Sequence, residues 1–170
     1  TMKWGLIPSW SKDMSFASKM INARCETITV KPIWRQLIPQ QRGIAVASGY
    51  FEWKKSAAGK IPHYIHREDG KLLLMAALWD VWKSPDKKVI LSYSVITCSA
   101  SHRLKHIHER MPVFIGQHQI SVWLESVHYS QSKALALLVP NDEGLINHPV
   151  STLVNNVKNN SPECIKPAQQ

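Results

Sequence analysis

The sequence predicts one α+β domain over residues 1–170, in which short helices accompany mainly antiparallel strands. Three observations favour this fold class. The length of 170 residues suits a single domain. Hydrophobic residues form 44% of the chain, which is enough to build a buried core. Strand-forming runs bounded by turn residues outnumber short helical patterns, so the residue patterns alone also fit a mainly β chain.

The spacing of apolar side chains predicts the individual elements. Residues 1–10 alternate large apolar residues before Pro8 and Ser9, which predicts a strand that ends in a turn. Apolar residues at helical spacing predict a short helix over 31–38, and Pro32 suits its first turn. The remaining elements are an antiparallel meander, two helices and a last strand before an irregular tail: strands 43–49, 62–66, 71–79 and 88–97, helices 117–125 and 131–138, and a strand that begins at 149–150.

Positive charge is concentrated in the first third of the chain. The whole sequence has 21 basic and 12 acidic residues, a net charge of +9. Residues 1–60 contain ten basic and three acidic residues, a net charge of +7, and the rest of the chain adds only +2. Such an excess attracts polyanions by long-range electrostatics and by counterion release. We therefore expect an anionic ligand, with nucleic acid favoured, on the face that the first third builds.

The apolar stretches and the cysteines exclude two classes of protein. No apolar stretch approaches the roughly 20 residues of a membrane helix, so no membrane partner is expected. Cys25, Cys98 and Cys164 are odd in number and widely spaced, which argues against a disulfide framework. A reducing, cytoplasmic compartment is therefore predicted.

The histidine-rich segment does not predict a metal site. His102 and His106 would share a helical face near Cys98 and His108, but their spacing matches no strong zinc signature. The sequence also lacks glycine-rich nucleotide loops, the GxSxG motif of serine hydrolases and the HExxH motif of metalloproteases. We therefore predict no metal and no cofactor.

A carboxyl group interrupts an aromatic run at Glu52, between Phe51 and Trp53. If the two rings enclose the carboxyl, they exclude water and raise its pKa, which suits a general acid and base. The alternative is a solvent-facing position in a strand, because alternation would place both rings on the opposite face. The sequence alone leaves both interpretations open.

Two further polar clusters suggest proton transfer beside an anion site. His108 precedes Arg110 and Pro112, so a titratable imidazole lies near a guanidinium on a segment that proline stiffens. Arg24 follows Asn22 and offers a second guanidinium suited to phosphate. The alternative for each is an ordinary turn or surface residue.

The tryptophans fall into two predicted classes. Trp10, which is followed by Ser11, is a candidate for stacking on an unpaired base. Trp34, Trp79 and Trp123 are predicted to lie in the core, because their neighbours follow the apolar pattern of buried elements.

Five motifs follow one another along the chain: Trp4-Gly5-Leu6-Ile7-Pro8-Ser9-Trp10, Asn22-Ala23-Arg24-Cys25-Glu26-Thr27, Gly49-Tyr50-Phe51-Glu52-Trp53, His108-Glu109-Arg110-Met111-Pro112, and Pro149-Val150-Ser151 through Asn155-Asn156-Val157 to Pro162-Glu163. Together they resemble the SOS response-associated peptidase (SRAP) domain family over essentially the whole chain. The resemblance implies a curved, mainly antiparallel sheet or open barrel with short peripheral helices. It also implies a protein that recognises and covalently shields abasic sites in single-stranded DNA during the SOS and DNA-damage response.

Proteins of that family act through a cysteine that becomes residue one after the initiator Met is removed. The amine and thiol of this cysteine close on the ring-opened abasic sugar, through a Schiff base, to a thiazolidine crosslink. By resemblance, Glu52 is the acid and base that assists ring opening, and His108 protonates the sugar oxygen. Asn22 would orient the amine of the nucleophile.

The resemblance also implies a set of DNA contacts. Arg24 and Arg110 would hold the phosphates that flank the lesion. Trp10 and its neighbour Ser11 would stack against or wedge the bases, and Met111 would lie beside Arg110 in the DNA-binding surface.

The sequence departs from the family pattern at its start. It begins at Thr1, in a motif that family members reach after a segment that carries the cysteine. Cys25, Cys98 and Cys164 cannot replace that residue, because the nitrogen of each is an amide. We expect an N-terminally truncated SRAP-like domain that does not crosslink by itself. The alternatives are a non-covalent module for single-stranded DNA and a peptidase that releases its own N-terminal cysteine, and the sequence leaves the oligomeric state open.

Overall fold

The computed structural model describes residues 1–57 and 59–168. The described residues form nine β-strands, three short α-helices and several 3₁₀ turns, which confirms the predicted α+β class. None of their helices is long and apolar enough to cross a membrane. The strands are β1 (Lys3–Trp4), β2 (Asn22–Arg24), β3 (Arg42–Ala47), β4 (Gly49–Ser56), β5 (Gly59–Arg67), β6 (Leu73–Lys83), β7 (Val89–Ser99), β8 (Arg110–Pro112) and β9 (Leu145–Pro149), and the helices are α1 (Pro32–Arg35), α2 (Ile120–Leu124) and α3 (Gln131–Leu135).

The chain folds into two compact units, each built from three separate stretches. Unit 1 comprises Thr1–Ala45, Leu74–Cys98 and Pro112–Pro140. Unit 2 comprises the described residues of Val46–Leu73, Ser99–Met111 and Asn141–Gln170. The prediction of one continuous domain over 1–170 stays a prediction.

The strands form two sheets. The larger has six strands in the order β1-β7-β6-β3, with β2 and β8 also paired to β7. The smaller has three strands in the order β4-β5-β9. The pairs β4–β5, β5–β9 and β6–β7 are antiparallel, as expected for the long strands. The short strands β1 and β2 instead run parallel to β7.

The predicted single meander is wrong at two places. Strand β5 pairs with β4 and β9, whereas β6 pairs with β7 and β3, so consecutive strands belong to different sheets. Strands β2, β4 and β8 were not among the predicted strands. The strands β2 and β8 have three residues each and carry almost no strand signal, and polar side chains interrupt the run of β4. Period-two alternation reports which face of a strand is buried, but it does not report which strand lies beside it.

Element boundaries differ from prediction inside the chain, where β5 is longer than predicted and β6 ends at Lys83, and also at both ends. The opening strand is limited to β1, and residues 6–8 are buried without strand pairing. Pro149 ends strand β9 instead of beginning it, and Val150 forms only an isolated bridge with Pro167. The tail contains two 3₁₀ turns, Thr152–Asn155 and Pro162–Ile165. The three predicted helical segments are confirmed, although their α-helical parts are shorter than predicted.

The core of unit 1 contains two of the three predicted tryptophans. Trp34 and Trp123 are buried, and the indole N–H of Trp123 donates to the carbonyl of Gly43 at 2.7 Å. Trp79 is only half-buried, whereas Trp82, which was not predicted, is buried and donates to the carbonyl of Ser11. The apolar spacing predicted the burial of Trp34 and Trp123 correctly. It did not predict how far Trp79 is covered, because the elements packed against a ring set its exposed fraction.

A buried cation joins the start of β3 to the helical segments of unit 1. Arg42 is only 5% exposed, and its guanidinium donates to the carbonyls of Ile38 at 2.7 Å and of Trp123. Its central carbon lies 5.8 Å from the centroid of the Trp123 ring. Burial lowers the pKa of Arg42 from its ordinary value. The carbonyl acceptors of Nε and Nη1 compensate for part of the lost hydration of this cation, and its Nη2 is buried without a partner among the described residues.

The variant Arg42→Met should be less stable than the wild type by about 2–3 kcal/mol, because two buried carbonyls lose their donor. The free energy of unfolding from urea titration measures this loss. Arg35→Met, at an exposed arginine of α1, is the matched control and should change stability by less than about 0.5 kcal/mol. Equal losses in the two variants would contradict a structural role for Arg42.

Candidate functional site

The hairpin of β4 and β5 places Glu52 on one face of the smaller sheet. The two strands pair residue by residue, with Glu52 directly opposite His63 and Lys54 opposite Ile61. Because side chains alternate along a strand, Glu52, Lys54 and His63 share one face, and Phe51 and its alternate neighbours lie on the other. The prediction that Phe51 and Trp53 enclose Glu52 is therefore wrong. The two rings lie on the opposite face of the strand, as in the alternative interpretation.

Aromatic and polar contacts fix the opposite face of this hairpin. The Tyr64 ring lies 5.3 Å from that of Phe51 and stacks on the imidazole of His66 at 5.1 Å. It also lies over Gly49, where a Cβ would come within 2.5 Å of the ring atoms, so the strand must begin with glycine. Trp53 donates from its indole to the side-chain oxygen of Asn155 at 2.7 Å, which ties the C-terminal tail to β4. These contacts hold the strand that carries Glu52.

The Glu52 carboxyl is mostly withdrawn from water and faces an imidazole. Its side chain is 26% exposed, and its Oε1 lies 3.9 Å from Nδ1 of His108. Burial raises the pKa of Glu52, and this effect exceeds the opposing influences of His108 and of the backbone N–H of Trp53. A carboxyl with a raised pKa can both release and accept a proton in the same reaction cycle.

A short loop of unit 2 positions His108. Leu104 and Ile107 are buried and anchor this segment. Nδ1 of His108 lies 3.1 Å from the backbone nitrogen of Arg110 and 3.2 Å from its carbonyl oxygen, so the backbone of Arg110 holds the ring. The ring is 43% exposed, so its Nε2 can exchange a proton with a bound molecule. The structure thus brings the predicted residues Glu52 and His108 together in unit 2, with the backbone of Arg110 against the His108 ring.

Sequence reasoning missed His63 and Asn147, which extend the site across the smaller sheet. Nδ1 of His63 lies 3.0 Å from Oδ1 of Asn147 in β9, so the ring N–H donates to the amide oxygen. His63 is only 9% exposed, and burial, together with the nearby Lys54 and His106, lowers its pKa. The signal that could have revealed it is a histidine inside the otherwise apolar run of β5.

The predicted residues of unit 1 lie on exposed positions of two segments. Asn22 and Arg24 are exposed on one face of β2, and Ala23 between them is fully buried. Trp10 is 58% exposed, and its ring meets Phe16 edge-on at 5.5 Å. An exposed indole held by a neighbouring ring is suited to stacking. The convergence of these unit 1 residues with Glu52 and His108 in one groove stays a prediction.

Two predicted DNA contacts are buried within their own units. Ser11 is 8% exposed, and its hydroxyl donates to the carbonyl of Asp13 at 2.6 Å. Met111 is 1% exposed, and its sulfur accepts from the backbone N–H of Ser101. Their burial favours packing roles in support of Trp10 and Arg110, and direct contact with DNA stays a prediction for both. The described residues contain no group of three or more His, Cys, Asp or Glu that could hold a metal ion.

Comparison with known proteins identifies the family. The family model described as SOS response associated peptidase (SRAP) matches residues 1–157. The chain belongs to the SRAP family. The abasic site processing protein YoqW of Bacillus subtilis (strain 168) is 36% identical over 167 residues, which cover 97% of this chain and 75% of that protein. The abasic site processing protein HMCES of Xenopus tropicalis is 35% identical over 187 residues, which cover 96% of this chain and 56% of that protein.

Solved structures agree with this assignment. A crystal structure of a protein from Bacteroides thetaiotaomicron superposes on 99% of this SRAP chain with a TM-score of 0.90 and 29% identity, and the match covers 76% of that chain. A protein from Bordetella bronchiseptica superposes on 88% of this chain with a TM-score of 0.77 and 24% identity, and the match covers 76% of that chain. The second likeness concerns the fold alone.

The raised pKa of Glu52 predicts that this SRAP chain becomes more stable when the carboxyl is replaced by an amide. Below the ordinary pKa of a glutamate, Glu52 is protonated in both the folded and the unfolded state, and the wild type is not penalised. As the pH rises through the folded-state pKa, the folded state must carry a poorly hydrated charge, and stability is lost.

Glu52→Gln should therefore melt about 2 °C above the wild type at pH 7.5, and the difference should vanish near pH 4. Thermal melting followed by circular dichroism measures both values. Glu68→Gln, at an exposed glutamate of unit 2, is the control and should show no such pH-dependent gain. A destabilised Glu52→Gln variant at pH 7.5 would show that attraction to His108 outweighs burial.

Proposed function

We propose that this SRAP chain recognises abasic sites in single-stranded DNA and takes part in their covalent shielding through a thiazolidine crosslink. The single observation that carries the proposal is the Glu52–His108 pair, a half-buried carboxyl with a raised pKa 3.9 Å from an exposed imidazole. Support also comes from relatives named abasic site processing proteins and from the net charge of +7 in residues 1–60. An abasic sugar needs acid–base help to open, and its flanking phosphates need cations.

The first chemical step is the opening of the sugar ring. An abasic deoxyribose is a cyclic hemiacetal, and opening it removes the proton of the anomeric hydroxyl while the ring oxygen gains one. Glu52 in its carboxylate form takes the first proton. His108 in its imidazolium form supplies the second from its Nε2–H and becomes neutral, and the free aldehyde forms. Return of the proton from Glu52 to His108 restores both groups for the next step, and it requires the 3.9 Å between Oε1 and Nδ1 to close to hydrogen-bond distance in the DNA complex.

The second step joins the aldehyde to an N-terminal cysteine. The α-amine adds to the aldehyde carbon, water leaves as the Schiff base forms, and the thiol adds to the same carbon to close the thiazolidine. The net reaction consumes one aldehyde, one amine and one thiol and releases one water. Cys25, Cys98 and Cys164 have amide nitrogens, so this role needs a cysteine at a free chain start. Asn22 would orient the amine of that cysteine.

DNA binding would come from cations and an exposed ring. Arg24 and Arg110 would hold the phosphates beside the lesion, and Trp10 would stack on a neighbouring base. Ser11 and Met111 would support these residues from behind. A protein with this substrate would act in the bacterial cytoplasm on nucleoid DNA, within the SOS response, and residues 1–170 would form its SRAP domain.

The test uses the chain extended at its N-terminus so that it begins with a free cysteine. Incubation with a single-stranded oligonucleotide that contains one abasic site should give a covalent adduct, seen as a shifted band on a denaturing gel. Glu52→Gln should slow adduct formation by about 10²-fold, because general acid–base catalysis contributes at least that factor. His108→Gln should slow it by a similar factor.

Glu68→Gln is the matched control and should form the adduct at the wild-type rate, since its carboxyl is exposed. Wild-type rates in both Glu52→Gln and His108→Gln would overturn the assigned chemistry. Tight binding without any adduct in the wild type would instead support a non-covalent single-strand-binding module.

The family description names a peptidase, which favours a second activity in which a precursor that begins Met-Cys releases its own N-terminal cysteine. The same Glu52–His108 pair offers a base for this hydrolysis. Mass spectrometry of a precursor that begins Met-Cys would decide this case in an expression host that lacks active methionine aminopeptidase. A retained Met in the wild type would rule out self-processing.

A further inference from the structure

A cluster of nitrogen groups lies beside Glu52 on the same face of the smaller sheet. Lys54 is two residues from Glu52 along β4, and His63 is directly opposite Glu52 on β5. Lys54 and His106 are near enough to His63 to disfavour its protonation electrostatically. All three residues belong to unit 2. None has a role in the acid–base chemistry assigned to Glu52 and His108.

His63 is built into this cluster rather than exposed at its edge. The residue is 9% exposed, and its Nδ1–H donates to Asn147 at 3.0 Å, so the orientation of the ring is fixed. Its other nitrogen, Nε2, makes no hydrogen bond with any described residue. This nitrogen is not one of the buried, unpaired polar atoms of the described residues, so it is accessible to an incoming acceptor. When the ring is protonated, Nε2–H becomes a donor that needs an acceptor.

The charges around His63 favour an anion as that acceptor. Glu52 lies directly opposite it on β4, and Lys54 shares that face of the strand. His106, on the loop that precedes β8, is near enough to oppose its protonation. Asn147 accepts from it on β9, and His148, on the other face of β9, also opposes its protonation. Lys54 and His106 form no ion pair with the described residues. Glu52 is the one carboxyl in this set, and its burial and its proximity to His108 limit how far it can neutralise the rest. The cluster therefore carries uncompensated positive charge next to a catalytic carboxyl.

We propose that Lys54, His63 and His106 form a phosphate-binding subsite that takes the phosphodiester adjacent to the abasic sugar held at Glu52. This inference rests on the proposed function. Lys54 lies about 7 Å along the strand from Glu52, given a rise of roughly 3.3 Å per residue. That distance is suited to a phosphate attached to a sugar at Glu52. The phosphate oxygens accept from the ammonium of Lys54 and from the imidazoles.

Phosphate binding at this subsite takes up a proton. In the free protein, burial and the neighbouring cations lower the pKa of His63, so its ring is neutral at pH 7. A bound phosphate provides the missing acceptor for Nε2–H and raises the pKa. By linkage, affinity rises as the pH falls through the pKa of the bound state, and it levels off below the pKa of the free state. A purely structural His63, which only joins β5 to β9, would give no such coupling.

The test compares two neighbouring lysines of β4. The probe is a single-stranded oligonucleotide with one tetrahydrofuran abasic analogue, which cannot crosslink, so fluorescence anisotropy reports binding alone. Lys54→Gln should weaken binding about tenfold at pH 6 and reduce the slope of log affinity against log salt by about 0.7. Lys55→Gln removes the same charge from the opposite, exposed face and should leave both values near the wild type.

The second comparison concerns the proton. Wild-type affinity should rise about tenfold more than that of His63→Gln when the pH falls from 8.0 to 5.5 at constant ionic strength. Glutamine keeps an amide that can donate to Asn147, and His102→Gln, at an exposed histidine, is the control. Replacing the phosphates that flank the analogue with neutral methylphosphonates should remove this extra pH dependence from the wild type. If His63→Gln does not fold, Lys54→Gln is compared with the wild type on the methylphosphonate probe. The two proteins should then bind with nearly equal affinity, because the charged phosphate that Lys54 contacts is absent.

The outcomes separate the subsite from the proposed function. Equal effects of Lys54→Gln and Lys55→Gln, with unchanged pH dependence on the methylphosphonate probe, would overturn the subsite and leave abasic-site recognition intact. A wild type that binds the abasic oligonucleotide no better than an inert duplex would overturn both.

Discussion

The antiparallel register of β4 and β5 is the constraint on which the candidate site depends. Eight residue pairs run from Gly49 opposite His66 to Ser56 opposite Gly59, and they set which side chains share a face. A slip of one residue in β4 would move Glu52 to the face now occupied by Phe51. Packing of Tyr64 over Gly49 resists such a slip, because a neighbouring residue with a Cβ would collide with the ring.

The site combines a partly buried acid with an excess of nitrogen bases, and these features oppose stability. Burial makes the charge on Glu52 costly, while Lys54, His63 and His106 repel one another when protonated. Structures retain such arrangements where an incoming charge or a proton transfer makes use of them. Arg42 in unit 1 illustrates the contrast, since its buried charge is matched by carbonyl acceptors and has a structural explanation.

Local patterns predicted much of the fold and part of the site. Runs of β-forming residues located β3, β5, β6 and β7 but not β4, and Pro32 marked the start of α1 because its fixed φ suits a first turn. Glu52 and His108 were identified as chemical candidates from their neighbours in the sequence. Pairing partners were not predictable, so the split between β5 and β6 and the parallel strand β2 were missed. His63 was missed because its function depends on Asn147, 84 residues away.

By itself, the sequence determined the α+β class, the excess of positive charge near the N-terminus and the motifs that identify the SRAP family. Composition and short-range spacing carry this information, because propensity, turn formation and charge are properties of neighbouring residues. Only the tertiary structure decided that Phe51 and Trp53 turn away from Glu52 and that His108 lies 3.9 Å from it. Burial and proximity arise when distant segments pack, so the raised pKa of Glu52 and the cluster around His63 exist only in the folded chain.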